Sequence, residues 1–151
     1  MSNIYDDIKK WVDRISNFKN NYQICPYASK AKYLIFTNED MLSMQIKASF
    51  YNYDADLILC IPTDKFMTVE KARYIEKNNN RIAKDTITLL DHPEDPGYIG
   101  NIYTGNGKHI VFLIQPKKEL LQAREYLKNY TSYYNKWSEE YYKKICHNNF
   151  Y

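Results

Sequence analysis

The segment DHPEDPGYIGNIYTGNGKH, residues 91–109, gathers two histidines, three carboxylates, two amides and a lysine within nineteen residues. Asp91, His92, Glu94 and Asp95 supply four groups able to move a proton or ligate a metal, with Pro93 and Pro96 restricting the backbone between them. Asn101, Thr104, Asn106 and Lys108 follow, an amide, hydroxyl and ammonium set suited to orienting a polar or anionic small molecule. His92 and His109 stand seventeen positions apart, as an acid/base pair or as two metal ligands. All four glycines of the chain, Gly97, Gly100, Gly105 and Gly107, lie here. Such a concentration marks a backbone that turns tightly or is approached closely, and long ordered loops of this kind tend to carry function. A surface loop with ordinary turn chemistry is the alternative. Neither GxxxxGK[ST] nor GxGxxG occurs, so this is not a familiar phosphate loop.

A second chemical word is CPYA, residues 25–28. It is similar to the Cys-Pro-Tyr-Cys box of glutaredoxin-type proteins, in which a thiolate is stabilised at a helix N-terminus. Ala28 replaces the second cysteine, which excludes a dithiol mechanism and leaves Cys25 as a single thiol with Tyr27 beside it and Lys30 and Lys32 nearby. A half-buried structural cysteine is the competing reading. Cys60 falls inside an apolar run and reads as core, while Cys146 reads as incidental. Three widely spaced cysteines without a CxxC pair indicate neither a disulfide framework nor a structural zinc site. A third stretch, REYLKNYTSYYNKWSEEYYKK at residues 124–144, interleaves aromatic and basic groups as single-stranded nucleic-acid binders do. Its glutamates dilute the charge, and core packing or a protein partner ranks ahead of nucleic acid.

The elements that position these groups are read from periodicity. Ile4, Ile8, Trp11, Val12, Ile15 and Phe18 step by three and four residues, which makes an amphipathic helix capped at Ser2 or Asn3. KYLIF reads as a strand, a helix begins at Asn38 and passes through Met41, Leu42, Gln45, Ile46 and Phe50, and LILCI is a strand buried on both faces and stopped by Pro62. Thr68 opens a long helical pattern through Val69, Ala72, Ile75, Ile82, Ala83 and Leu89. HIVFLIQP is a third strand, and the stretch from Lys117 onward, without Gly or Pro, is one long tyrosine-rich helix. The expectation is a single α/β domain over residues 1–151, with a three-stranded, mostly parallel sheet flanked by four helices.

A net charge of +3 is well below that of a typical nucleic-acid-binding domain. Neither a secretory leader nor an apolar run of about 18 residues is present, so the expected setting is cytoplasmic and away from membranes. Sixteen tyrosines mean that Tyr does packing usually left to Leu.

The order of Trp11, Cys25-Pro26-Tyr27-Ala28, His92-Pro93 and Asn101-Ile102-Tyr103-Thr104 before HIVFLI resembles the bacterial family called domain of unknown function 1415, over roughly residues 8–116. The Gly-Asn-Gly after Thr104 and the tyrosine-rich final helix depart from that pattern. The resemblance implies a site at Cys25 and His92 and no particular reaction. Together these readings point to a small enzyme-like domain. Cys25 serves as nucleophile or ligand and His92 or His109 as base. Tyr27, Asn101, Thr104, Asn106 and Lys108 orient a polar or anionic small molecule. The cofactor is left open. The alternatives are a non-catalytic, phage-encoded interaction module or homo-oligomer using the last helix, and a metal-dependent oxidoreductase with His92 and His109 as ligands.

Overall fold

A computed structural model describes residues 3–16, 18–19, 22–23, 31–95, 97–99, 102–130 and 133–146. The chain forms α1 (Ile4–Ser16), β1 (Phe18–Lys19), β2 (Tyr22–Gln23), β3 (Tyr33–Glu39), α2 (Met41–Ser49), β4 (Leu57–Pro62), α3 (Val69–Ile82) and β5 (Thr86–Asp91). It continues through β6 (Tyr98–Ile99), β7 (Ile102–Tyr103), β8 (Val111–Pro116), α4 (Lys117–Tyr130), a 3-10 turn at Tyr133–Lys136 and α5 (Glu139–Cys146). Strands β3, β4, β8 and β5, in that spatial order, make the main sheet, and β1–β2 and β6–β7 are two small antiparallel pairs. No described helix is long and apolar enough to cross a membrane.

The domain is α/β, as its alternating elements imply, but the sheet differs from the expectation. It has four strands, and only β3–β4 is parallel; β8 runs antiparallel to both β4 and β5. The fourth strand is TITLLD, whose apolar residues also fit a helical period. A short apolar run is compatible with either element, and its partner strand decides between them. The single closing helix is likewise replaced by α4, a 3-10 turn and α5, making five helices among the described residues. Ser138 accepts the Tyr141 N–H at 3.1 Å and is followed by Glu139 and Glu140, a cap with acidic residues in the first turn.

Alternation along β4 and β8 separates two cores. Ile58, Cys60, Phe112 and Ile114 face α2 and α3, where they meet Met44, Ala48, Ala72 and Ile75. Leu59, Ile61 and Val111 face α1 and pack on Ile8 and Trp11. One amphipathic helix therefore covers one face of the sheet, and two helices cover the other. Helix α2 starts after Asp40, not at Asn38: the Asp40 side chain accepts the Ser43 N–H at 2.7 Å while the Ser43 hydroxyl accepts the Asp40 N–H. Asn38 is left-handed at φ 57°, a conformation asparagine tolerates.

Helix α3 closes the free edge of β5. Asn80 accepts the Thr88 N–H at 2.7 Å and donates to the Thr88 carbonyl at 2.9 Å, and Glu76 accepts the Leu90 N–H at 2.7 Å. Four helical residues rise by ~6 Å and two strand residues by ~6.6 Å, so side chains at that helical step can meet alternate strand residues. An edge that would otherwise present bare backbone groups is covered.

At the other side of this core Cys60 is fully buried and its thiol hydrogen-bonds to Glu39, which pairs with Lys47 at 2.7 Å. Burial, with the Glu39 charge, pushes the thiol up to about 12 from its ordinary value of 9.0. Its thiolate fraction at neutral pH is thus about a thousandfold below that of an exposed cysteine. Peptide mapping after treatment of the native protein with a thiol reagent is expected to find Cys60 unmodified, and modified at once in urea.

Candidate functional site

Antiparallel β8 settles where the glycine segment lies. Because Asp91 pairs with Val111 and Cys60 with Phe112, the β5–β8 connection emerges at the end of the sheet where β3 and β4 present their carboxyl ends. The segment is the loop of a long hairpin, with the short β6–β7 ladder inside it. Glycine is needed at specific places there. A Cβ on Gly105 would fall 2.7 Å from Asp91 Oδ1 and 2.9 Å from the Tyr103 hydroxyl, and Gly107 has φ +76°.

Asn106 organises the loop. Its backbone N–H and its side-chain Nδ2 donate to Asp91 Oδ2 at 3.0 and 2.6 Å, and Nδ2 also donates to the His109 carbonyl at 2.9 Å. Its Oδ1 accepts the N–H groups of Lys108 and His109 at 3.0 and 2.7 Å. The amide expected to orient a ligand is thus engaged in holding residues 106–109 in shape. Burial pushes the Asp91 carboxyl above its ordinary value, against the opposing pull of the Asn106 donors and of Arg14.

The two histidines have different surroundings. His92 is 3% exposed, its Nε2 donates to the Met67 carbonyl at 2.8 Å, and its Nδ1 accepts the Glu94 N–H at 3.1 Å. Both nitrogens of a neutral ring are used, which links the loop after β4 to the loop after β5. His109, with 27% of its side chain exposed, places Nε2 2.8 Å from Asp7 Oδ2 on α1. The carboxylate fixes the proton on Nε2, and Nδ1 has no partner among the described residues. Lys108 Nζ lies 3.5 Å from Asp7 Oδ1.

Helix α1 contributes residues that sequence reading placed only on an amphipathic helix. Trp11 Nε1 donates to the Thr104 carbonyl at 2.8 Å, and Arg14 donates to the carbonyls of Tyr103, at 2.5 Å, and of Gly105. Asp7, Lys10, Trp11 and Arg14 fall at i, i+3, i+4 and i+7, one face of the helix, and that spacing was the available signal. With Asn106 and Lys108 they line a cleft of about 160 Å³, and His109 adjoins it through Asp7. Thr104 faces elsewhere, its Oγ1 3.2 Å from the Tyr141 hydroxyl.

Cys25, Tyr27 and Asn101 lie outside the described residues, as does the expected meeting of the CPYA turn with the loop. No group of three or more His, Cys, Asp or Glu side chains that could hold a metal ion is found among the described residues. A larger cavity of about 770 Å³ lies at the opposite end of the sheet and is lined by neither histidine nor cysteine. Of the two hollows, only the smaller cleft adjoins a histidine, through the Asp7–His109 contact.

Fold and site together define an α/β domain with a cation-rich cleft between its first helix and a clamped hairpin loop. Comparison of the chain with protein-family models, with curated proteins and with solved structures finds no match.

Proposed function

We propose that the protein is a small enzyme-like domain that binds a polar or anionic small molecule in the α1–loop cleft and moves a proton there through His109. The observation that carries this reading is the Asp7–His109 contact of 2.8 Å beside a cleft walled by Lys10, Arg14 and Lys108. Three cations against one carboxylate favour an anionic occupant, and a carboxylate-oriented imidazole whose Nδ1 has no partner among the described residues suits general-base work. Lys10 and Lys108 attract the ligand, while Arg14 and Trp11 keep the loop docked on α1. The thiol chemistry expected of Cys25 would add a nucleophile if that residue reaches the cleft.

A variant that keeps the tether to Asp7 but cannot carry a proton, His109→Gln, is expected to slow hydrolysis of an anionic ester such as 4-nitrophenyl hydrogen succinate by about 100-fold. Equal rates for the wild type and the variant would end the proposal.

A structural reading of the same contacts has its own support. Trp11, Arg14 and Asp7 all fasten α1 to the loop, so the Asp7–His109 pair also serves as a tether. If that is its whole role, His109→Gln leaves the rate unchanged, and His109→Ala, which breaks the tether, lowers the melting temperature.

A further inference from the structure

The cavity of about 770 Å³ at the far end of the sheet lies where β8 ends at Pro116, β5 begins at Thr86 and α2 gives way to the 50–55 loop. Its volume is in the range of small-molecule sites. Part of its lining is aromatic. Tyr51 and Tyr53 meet edge to face with ring centroids 5.1 Å apart, and Phe50 stands at the lip with 77% of its surface exposed. The lining also holds the basic residues Lys84, Lys117 and Lys118. None of these three ammonium groups forms an ion pair among the described residues. Asp85 and Glu119 also line the cavity, so three cations stand against two carboxylates.

The walls are held in place by hydrogen bonds. The Tyr51 hydroxyl donates to the Ala55 carbonyl at 2.9 Å, the Thr86 hydroxyl donates to the Ala48 carbonyl at 2.8 Å, and the Lys117 N–H donates to the Asp85 carbonyl at 2.8 Å. A site formed before its ligand arrives loses less entropy on binding. Aromatic faces favour a flat ring, and unpaired ammonium groups favour a phosphate or similar anion.

We infer that this cavity binds an aromatic phosphate of nucleotide size, its ring against Tyr51, Tyr53 and Phe50 and its phosphate at Lys84, Lys117 and Lys118. The site is independent of the His109 cleft at the other end of the sheet.

The test is titration of the intact chain with adenosine monophosphate, adenosine and inorganic phosphate, followed by amide chemical shifts. Adenosine monophosphate is expected to bind saturably, with shifts centred on residues 50–55 and 84–86 and on the start of α4. Adenosine and phosphate are each expected to bind about tenfold more weakly, since each lacks one of the two contacts. Lys117→Gln with Lys118→Gln, a change on the surface that leaves the cores intact, is expected to weaken binding of the nucleotide by about tenfold and to flatten its salt dependence. His109→Gln is expected to leave that binding unchanged. No saturable shift, shifts centred on residues 103–109, or unaltered binding by the double lysine variant would each overturn the inference.

Discussion

Glu76→Ala is expected to lower the free energy of unfolding by about 3 kcal/mol, because it breaks a buried ion pair, leaves the Leu90 N–H without its acceptor and leaves Arg73 with Asp95 alone. Glu76 is 1% exposed on α3. Its Oε1 accepts from Arg73 at 2.8 Å and its Oε2 accepts the Leu90 N–H at 2.7 Å, so one carboxylate serves a cation and the strand edge together. Arg73 also donates to Asp95 Oδ2, at 2.5 Å from Nη2 and 3.1 Å from Nε. Burial works against the charged guanidinium, yet Glu76 and Asp95 hold its pKa above the ordinary value. Loss of Glu76 therefore removes the Leu90 acceptor and one of the two carboxylates facing Arg73. Urea unfolding of the wild type, Glu76→Ala and Glu76→Gln measures the effect. The glutamine can still accept from Leu90, so it is expected to lose less than the alanine. Equal stability of all three proteins would show that the buried carboxylate contributes nothing net. Hydrogen exchange at the Leu90 amide should quicken in the alanine variant more than at Ile114 in the centre of the sheet.

Phe112→Ala is expected to cost a similar ~3–5 kcal/mol by a different route, the loss of buried apolar surface and the cavity left behind. Phe112 is fully buried in β8, opposite Cys60 on one side and Leu90 on the other, and belongs to the core shared with α2 and α3. Strand β8 is central in the sheet, and its first residues follow closely on His109. Since a domain of this kind is stable by only about 5–15 kcal/mol, the alanine variant is expected to unfold at a much lower urea concentration. Phe112→Leu fills part of the space and is expected to lie between the two. A midpoint for Phe112→Ala close to that of the wild type would mean that the surrounding side chains collapse into the space.

Much of the architecture was legible along the chain. Helices α1 and α2, the start of α3 and strands β3, β4 and β8 stand within a few residues of their expected places, because each carries an apolar period or run that local sequence expresses directly. Cys60 was legible as core for the same reason, and it is fully buried. TITLLD was not. Ile82, Ala83 and Leu89 continue the α3 spacing beyond the polar run Asn78 to Asn80, and neither Gly nor Pro intervenes. Those asparagines instead belong to α3, which continues to Ile82, and Asn80 bonds the edge of the strand that was missed. One unread strand turned an antiparallel hairpin into an apparent parallel crossover. The break in the closing helix carried a readable sign, Ser138 followed by two glutamates, which the unbroken tyrosine stripe obscured.

The candidate site divides in the same way. That residues 91–109 form a tight, specially built loop follows from glycine chemistry, and the contacts at Gly105 and the positive φ at Gly107 give the reason. Which histidine is enclosed and which adjoins a cleft depends on neighbours far away in the chain: Met67 for His92, and Asp7 for His109. Local sequence determines turns and periodic faces, since these depend on residues a few positions apart. Only the packing of α1 across the sheet brought Asp7 to within 2.8 Å of a histidine 102 positions away, because a contact of that separation depends on strand order and direction.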